Sequence, residues 1–405
     1  MATSRTRTAQ PPPALRTLIA RYDPETIDLR GPEARIRLGI TDGPDWDVVL
    51  RGRRARFQPA LESRAPDARL TADLGTWERI SGDLRGGMDA FRRGRLRVRQ
   101  NLHLGVGLLA ATSGTKDPAR LRFESLRTSV GSISTMQAGR GEPVVLVHGL
   151  GATKASFLPT IAALANSYRL IALDLPGSGD SDKPIAAPYN ARYFARAVVA
   201  LLDALGLERA HLIGNSMGGR VALEAGLHEP ERVGRLVLLS PALAWLRERR
   251  LAPLVRALRP ELGLMQVAPR PVVEGIVRRV IPGGSTGWTA AGVDEFLRSY
   301  CSPRGRAAFY AAARNVYLDE PLGERGLWTR MPSLQSDALF VWGRHDTLVP
   351  VGFRKHVERA LPAAQHVVLD CGHVPQLEAS RPTHAAIRRF LQTAPARGGR
   401  VRRAS

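Results

Sequence analysis

Lysine is almost missing from this chain of 405 residues: of 59 basic residues only Lys116, Lys154, Lys183 and Lys355 are lysines, and all the others are arginines. Cysteine is reduced to Cys301 and Cys371. So distant a pair offers neither a disulfide framework nor a CxxC metal pair, and it fits a reducing compartment. No run approaches the roughly 18 consecutive apolar residues that a membrane helix requires, and no charged-then-apolar leader opens the sequence. The expected location is therefore the cytoplasm, with at most peripheral contact with a membrane. Aromatic residues make up only 6% and do not interleave with basic ones, so nucleic acid is not an expected partner in spite of a formal net charge of +22. Such a charge attracts anionic membranes and nucleic acid alike without specificity, but the preferred reading is that arginine is simply the habitual surface cation, and charge alone defines no partner. Composition is silent on oligomeric state.

What is present is globular: 44% of the residues are hydrophobic, and the chain exceeds the roughly 100–200 residues of one typical domain, so two are expected. Residues 1–14, MATSRTRTAQPPPA, are proline-rich, basic and without apolar periodicity, and read as a disordered leader. Residues 394–405 read as a disordered basic tail. From 15 to 118 the runs ARIRLGI and WDVVLRG, separated by the turn signal TDGPD, predict an antiparallel hairpin with one apolar face. RARFQPAL continues the strands, LGTWERISGDL and GMDAFRRG read as short helices, RLRVRQNL as strand and LGVGLLAAT as an apolar helix. Strands with helices on one face make a small α+β domain.

Beyond residue 119 the pattern changes. LRFESLRT and SISTMQAG read as a hairpin leading into PVVLVHG, a continuous apolar run typical of buried parallel strands. Helix-like and strand-like segments then alternate to RLVLLSP, resume at ALFVWG and HVVLDCG, and end in the helix THAAIRRFLQ. This alternation predicts a doubly wound, mostly parallel sheet over 119–393. The arginine-rich helical interval at about 243–332 reads as an inserted cap.

Two segments match GxSxG. In GNSMG the serine, Ser216, follows the apolar strand AHLI and precedes a helix, whereas Ser285 in GGSTG follows Pro282 inside the cap interval. The strand, sharp turn and helix around Ser216 are the setting of a nucleophile elbow, in which Gly214 and Gly218 must lack side chains. A serine needs a base, and the base an orienting acid. His373 in DCGHVPQLE and Asp346 in WGRHDTLVP follow the last two sheet strands. His345 and His366 are rivals in less suitable parts of their elements. His148 and Gly149 open the segment HGLG after the first buried strand; Leu150 and Met217 are expected to offer backbone N–H groups to an oxyanion, and His148 to fix the loop. No metal or organic cofactor is implied.

HGLG, DLPGSGDSDKP, GNSMGG, WGRHDTLVP and CGHVPQLE, in that order, resemble the α/β-hydrolase superfamily over about 270 residues. The resemblance implies a serine hydrolase with the triad Ser216, Asp346 and His373, and looks most like lipases and esterases. Meta-cleavage product hydrolases, which cut carbon–carbon bonds, share GNSMGG and CGH. They usually carry tryptophan after the histidine and an asparagine in the oxyanion loop, where this chain has Val374 and HGLGATKAS; ester cleavage is favoured. The 15–118 segment resembles the sterol carrier protein 2 (SCP-2) family in ITDGPDWDVVLRG, APDARLTADLGTWERISGDL and FRRGRLRVRQN. That resemblance implies an apolar tunnel, and hence a hydrophobic ester or lipid as substrate. A lipid carrier with a vestigial hydrolase half is the reading from a different class.

Overall fold

The computed structural model describes residues 10–82, 90–91, 93–246, 252–257, 259–265, 269, 271–272, 275 and 286–393. The chain divides into two compact units, Met1–Glu124 with Ser285–Arg298, and Ser125–Gly284 with Ser299–Ser405. The basic tail, residues 1–9 of the leader, Ser285 and half of GMDAFRRG lie outside the described residues.

The first unit opens with the helix Pro13–Ala20, so the end of the expected leader is ordered. Proline at the first helical position already has a helical φ and gives up an N–H that would have no partner. Leu15, Leu18 and Ile19 then form a buried stripe at helical spacing. A five-stranded sheet follows in the order β3-β2-β1-β4-β5, from β1 (Ala34–Ile40), β2 (Trp46–Arg51), β3 (Arg54–Pro59), β4 (Ala68–Ala72) and β5 (Arg97–Arg99). β1 and β2 pair antiparallel, Ile36 opposite Val48, while β1 and β4 run parallel. The helix Leu74–Gly82 is fastened to β1 by Trp77, fully buried, whose indole N–H donates to the Gly39 carbonyl at 3.0 Å.

The hairpin's second face is not solvated, contrary to the alternation. Arg35 and Arg37 are buried around the fully buried Asp47. Arg37 donates to both carboxylate oxygens (2.7 and 3.1 Å) and Arg35 to one at 3.3 Å, while the carbonyls of Leu61 and Arg64 also accept from Arg37 Nη2. The helix Leu102–Ala111 is apolar on nearly every side and is capped by Asn101. A Cβ on Gly105 would come within 2.5 Å of Val98, and one on Gly107 within 3.0 Å of Ile27, so neighbouring side chains fill the space these glycines leave. The helix Thr286–Tyr300, from the interval expected as cap, contributes Asp294 and Glu295 to this unit; they accept from Arg99, Gln100 N–H and Leu102 N–H at 2.6–2.8 Å.

In the second unit eight strands, the first of them β6 (Arg122–Thr128), follow the order β13-β12-β11-β10-β8-β9-β7-β6. Those that carry the argument are β8 (Pro143–Val147), β9 (Arg169–Leu173), β10 (Ala210–Asn215), β11 (Val233–Leu239), β12 (Ala338–Gly343) and β13 (Gln365–Leu369). They pair parallel, and β7 (Gly131–Ala138) joins β9 antiparallel. The mostly parallel sheet expected from the continuous apolar runs is present. Among the described residues no helix is long and apolar enough to cross a membrane.

Replacing Asp47 by alanine strands two buried guanidinium groups without their counter-charge, which costs about 3–5 kcal/mol where such pairs are broken. Urea unfolding of Asp47→Ala is expected to show that loss; a midpoint within error of wild type would mean the cluster is solvated.

Candidate active site

Ser216 stands between the end of β10 and the helix Met217–His228, in the strained conformation φ 54°, ψ −118°. A side chain rarely adopts positive φ without compensation. Here the surroundings impose it: Ser216 N–H donates to Leu239 O and Ser216 O accepts from Ala242 N–H, both at 2.9 Å. The neighbouring glycines are required by contact. A Cβ on Gly214 would lie 2.2 Å from the Gly218 carbonyl oxygen, one on Gly218 2.0 Å from Val147 O, and one on Gly149 3.2 Å from the Ser216 Cβ.

Because β10, β11, β12 and β13 are successive neighbours, their carboxyl ends gather at one edge of the sheet, where open α/β sheets hold their ligands. His373, after β13, and Asp346, after β12, are both buried, and His373 Nδ1 lies 2.8 Å from Asp346 Oδ2. The other carboxylate oxygen accepts the N–H groups of Leu348 (2.9 Å) and Val349 (2.8 Å), which fixes its orientation. Asn215, immediately before the serine, donates from Nδ2 to His373 O at 3.2 Å and to Leu239 O at 3.0 Å. The turn carrying Ser216 and the loop carrying His373 are thus joined directly. Among the described residues the Ser216 hydroxyl is not hydrogen-bonded to the imidazole; such contacts commonly tighten only with substrate bound.

The Leu150 and Met217 N–H groups donate to no group among the described residues. The loop bearing Leu150 is held by His148, fully buried, whose Nε2 accepts Leu175 N–H (3.0 Å) while Nδ1 faces Gly149 O (2.7 Å). Accepting at Nε2 leaves the proton on Nδ1, and burial further lowers the proton affinity of this ring. His148 is therefore a neutral strut. Lys154, also buried, ties the same segment to the loop after β9 through Asp174: its backbone N–H and its ammonium donate to the two carboxylate oxygens at 2.8 and 2.5 Å.

The rival histidines lie elsewhere. His345 pairs with Asp370 on the surface at 2.7 Å, and His366 Nδ1 accepts the Trp342 indole N–H at 3.1 Å. Sequence reasoning missed two supporting residues. Asn215 is one. The other is Glu378, whose carboxylate accepts Gly372 N–H at 2.7 Å and Val374 N–H at 2.8 Å, bracketing His373. A glutamate five positions after the histidine, with Pro375 opening a short helix between them, was the available signal.

Behind the elbow the helix Met217–His228 carries a buried charge cluster. Arg220 donates to Asp319 (2.6 and 3.3 Å) and to Glu224 (2.5 Å), and Arg330 forms two 3.0 Å bonds to Glu224. A cavity of about 360 Å³ lies against this cluster, lined also by Phe194 and Met217. Burial alone would raise the Glu224 carboxyl, but Arg220 and Arg330 outweigh it and hold it at about 2. Among the described residues no group of three or more His, Cys, Asp or Glu could hold a metal ion.

Comparison with known proteins bears on the second unit. A family described as alpha/beta hydrolase fold matches residues 142–305. A 2-hydroxy-6-oxo-6-phenylhexa-2,4-dienoate hydrolase of Comamonas testosteroni is 31% identical over 266 residues, 60% of this chain and 85% of the relative. A 2-hydroxy-6-oxononadienedioate/2-hydroxy-6-oxononatrienedioate hydrolase of Paraburkholderia phymatum is 30% identical over 273 residues, covering 62% and 87%. Among solved structures, a bacterial membrane phospholipase A superposes with a TM-score of 0.57 and 28% identity over 67% of this chain and 86% of that one.

Since the Glu224 carboxyl sits below its usual 4.5 in the folded protein, its contribution is complete above about pH 4.5 and is lost as pH falls towards 2. Denaturant midpoints between pH 7 and pH 2 are expected to fall less steeply in Glu224→Gln than in wild type, from a lower value at pH 7. Parallel curves would remove Glu224 from the acid response.

Proposed function

The chain belongs to the alpha/beta hydrolase family, and we propose that its second unit is a serine hydrolase working through Ser216, His373 and Asp346. The observation that carries this reading is the buried His373–Asp346 hydrogen bond, joined through Asn215 to the strained turn of Ser216. Ser216 Oγ attacks a substrate carbonyl while His373 Nε2 takes its proton, and Asp346 holds the opposite ring N–H and stabilises the imidazolium. Leu150 and Met217 N–H groups receive the developing oxyanion, Met217 from the first turn of its helix, where the macrodipole adds to the field. His373 then protonates the leaving group, and a water activated by the same base releases the acyl group from Ser216.

The bond cleaved is an ester in this proposal, on a hydrophobic or lipid substrate. Its support is the oxyanion segment HGLGATKAS, which has no asparagine, and Val374 after the base. A second reading, hydrolysis of a carbon–carbon bond next to a ketone, is favoured by the names of the two relatives at 30–31% identity. Residues 15–118 enter the proposal as an SCP-2-like domain that binds lipid, and the interval about 243–332 as a cap that selects substrate. The close packing around Gly105 and Gly107 restricts any ligand space to other parts of that domain.

A fluorophosphonate probe is expected to label the wild type and not Ser216→Ala, and the variant should lose at least about 10⁴-fold in kcat. Equal labelling of both proteins would end the proposal. Turnover of p-nitrophenyl esters of increasing chain length, set beside that of 2-hydroxy-6-oxo-6-phenylhexa-2,4-dienoate, decides the bond: higher kcat/KM on the esters supports the first reading, and the reverse order the second. Binding of a fluorescent fatty acid by Ser216→Ala, unaffected by a saturating active-site ester, is expected if residues 15–118 hold lipid.

A further inference from the structure

Short helices in globular proteins are held down by an apolar stripe. The helix Ala252–Ala257 has no buried residue, and in the 3-10 turn Pro260–Leu264 only Gly263 is buried. Arginine side chains fasten both from below instead. Arg314, on the helix Pro303–Leu318, donates to the carbonyls of Val255 (3.0 Å) and Arg256 (2.9 Å), and Arg306 to those of Gly263 (2.7 Å) and Leu264 (3.2 Å). Because the backbone makes the attachment, the large side chains stay out: Leu254 is 59% exposed, Leu262 51% and Met265 85%. An apolar groove of about 310 Å³, edged by Arg259 and Arg314, opens beside them. Arg256 and Arg259 are exposed on the same two segments, with Glu261 the one acidic residue between Arg256 and Met265.

Exposed leucine and methionine side chains at this density are a liability in water unless another phase covers them. The arginines at its margin, Arg256, Arg259 and Arg314, point to the sign of that phase. We infer that this face of the second unit docks on an anionic phospholipid bilayer, Leu254, Leu262 and Met265 entering the acyl boundary while Arg256 and Arg259 meet the headgroup phosphates. Amphipathic surface segments of this chemistry bind by buried apolar area together with attraction to anionic lipid. A second copy of the chain fits less well, since two such faces would bring like charges together. The inference is independent of which bond the enzyme cleaves.

Sedimentation of the full-length protein with phosphatidylcholine vesicles, with and without phosphatidylglycerol, tests it. Binding is expected to the anionic vesicles only and to weaken at high salt. Leu254→Asp with Leu262→Asp, and separately Arg256→Gln with Arg259→Gln, should each lower the partition coefficient by about tenfold or more. The control Arg53→Gln with Arg359→Gln removes the same charge from exposed positions elsewhere and should leave it within about twofold of wild type. A circular dichroism spectrum and a thermal midpoint unchanged from wild type show that each variant is folded, whichever bond the enzyme cleaves. Failure to sediment with anionic vesicles, equal partition by the patch variants, an equal loss in the control, or a patch variant that changes only the oligomeric state in light scattering would overturn the inference.

Discussion

Ser216 is held at positive φ by hydrogen bonds on both sides of its peptide and by glycines that nothing larger could replace. That one constraint organises the edge of the sheet around it. The turn has to be tight for the hydroxyl to stand above the strand ends, and a tight turn brings Gly214 against Gly218 and Gly218 against the last carbonyls of β8. The same crowding presses the HGLG loop onto the serine, so the two N–H groups proposed for the oxyanion are set by the packing that strains Ser216. Asn215 extends the arrangement to the histidine loop, and Glu378 closes it from the far side.

Arginine in this protein is a structural residue as much as a surface cation. Arg35 and Arg37 close the first sheet around Asp47, Arg220 and Arg330 surround Glu224 behind the elbow, and Arg306 and Arg314 hold two segments by their carbonyls. A planar fork with five donors can satisfy several acceptors from one side chain, which a lysine ammonium cannot do with comparable geometry. The lysine that is buried, Lys154, meets the carboxylates of Asp174 and Asp180 with its ammonium at 2.5 and 3.3 Å. Among the described residues, five basic side chains are committed to the interior in this way: Arg35, Arg37, Arg220, Arg306 and Lys154.

The alternation of strands and helices in the second unit was legible because continuous apolar runs and glycine-bounded turns are local features, and the residues at the ends of β10, β12 and β13 could be picked out by their place after each run. The hairpin of the first unit was legible in outline only. Alternation marks which residues share a face, but not whether a loop will fold back over the polar one, and Leu61 and Arg64 do so. The helix at Pro13 was hidden by three consecutive prolines, whose disruptive reading ignores the one position where a helix welcomes them. The contacts of Asp294 and Glu295 with Arg99, Gln100 and Leu102 join stretches nearly two hundred residues apart, and no periodicity announces such a pairing.

By itself, then, the sequence determined the alternating architecture, the identity of the elbow serine and the short list of groups that could serve it, since those follow from patterns a few residues long. Tertiary structure alone decided which histidine meets Asp346, that His148 is a neutral strut, that Asn215 and Glu378 hold the His373 loop in position, and which leucines of the arginine-rich interval face outward. Each of these depends on strand order and on hydrogen bonds between distant segments. Local pattern fixes where a side chain can point; only the assembled sheet fixes what stands there to meet it.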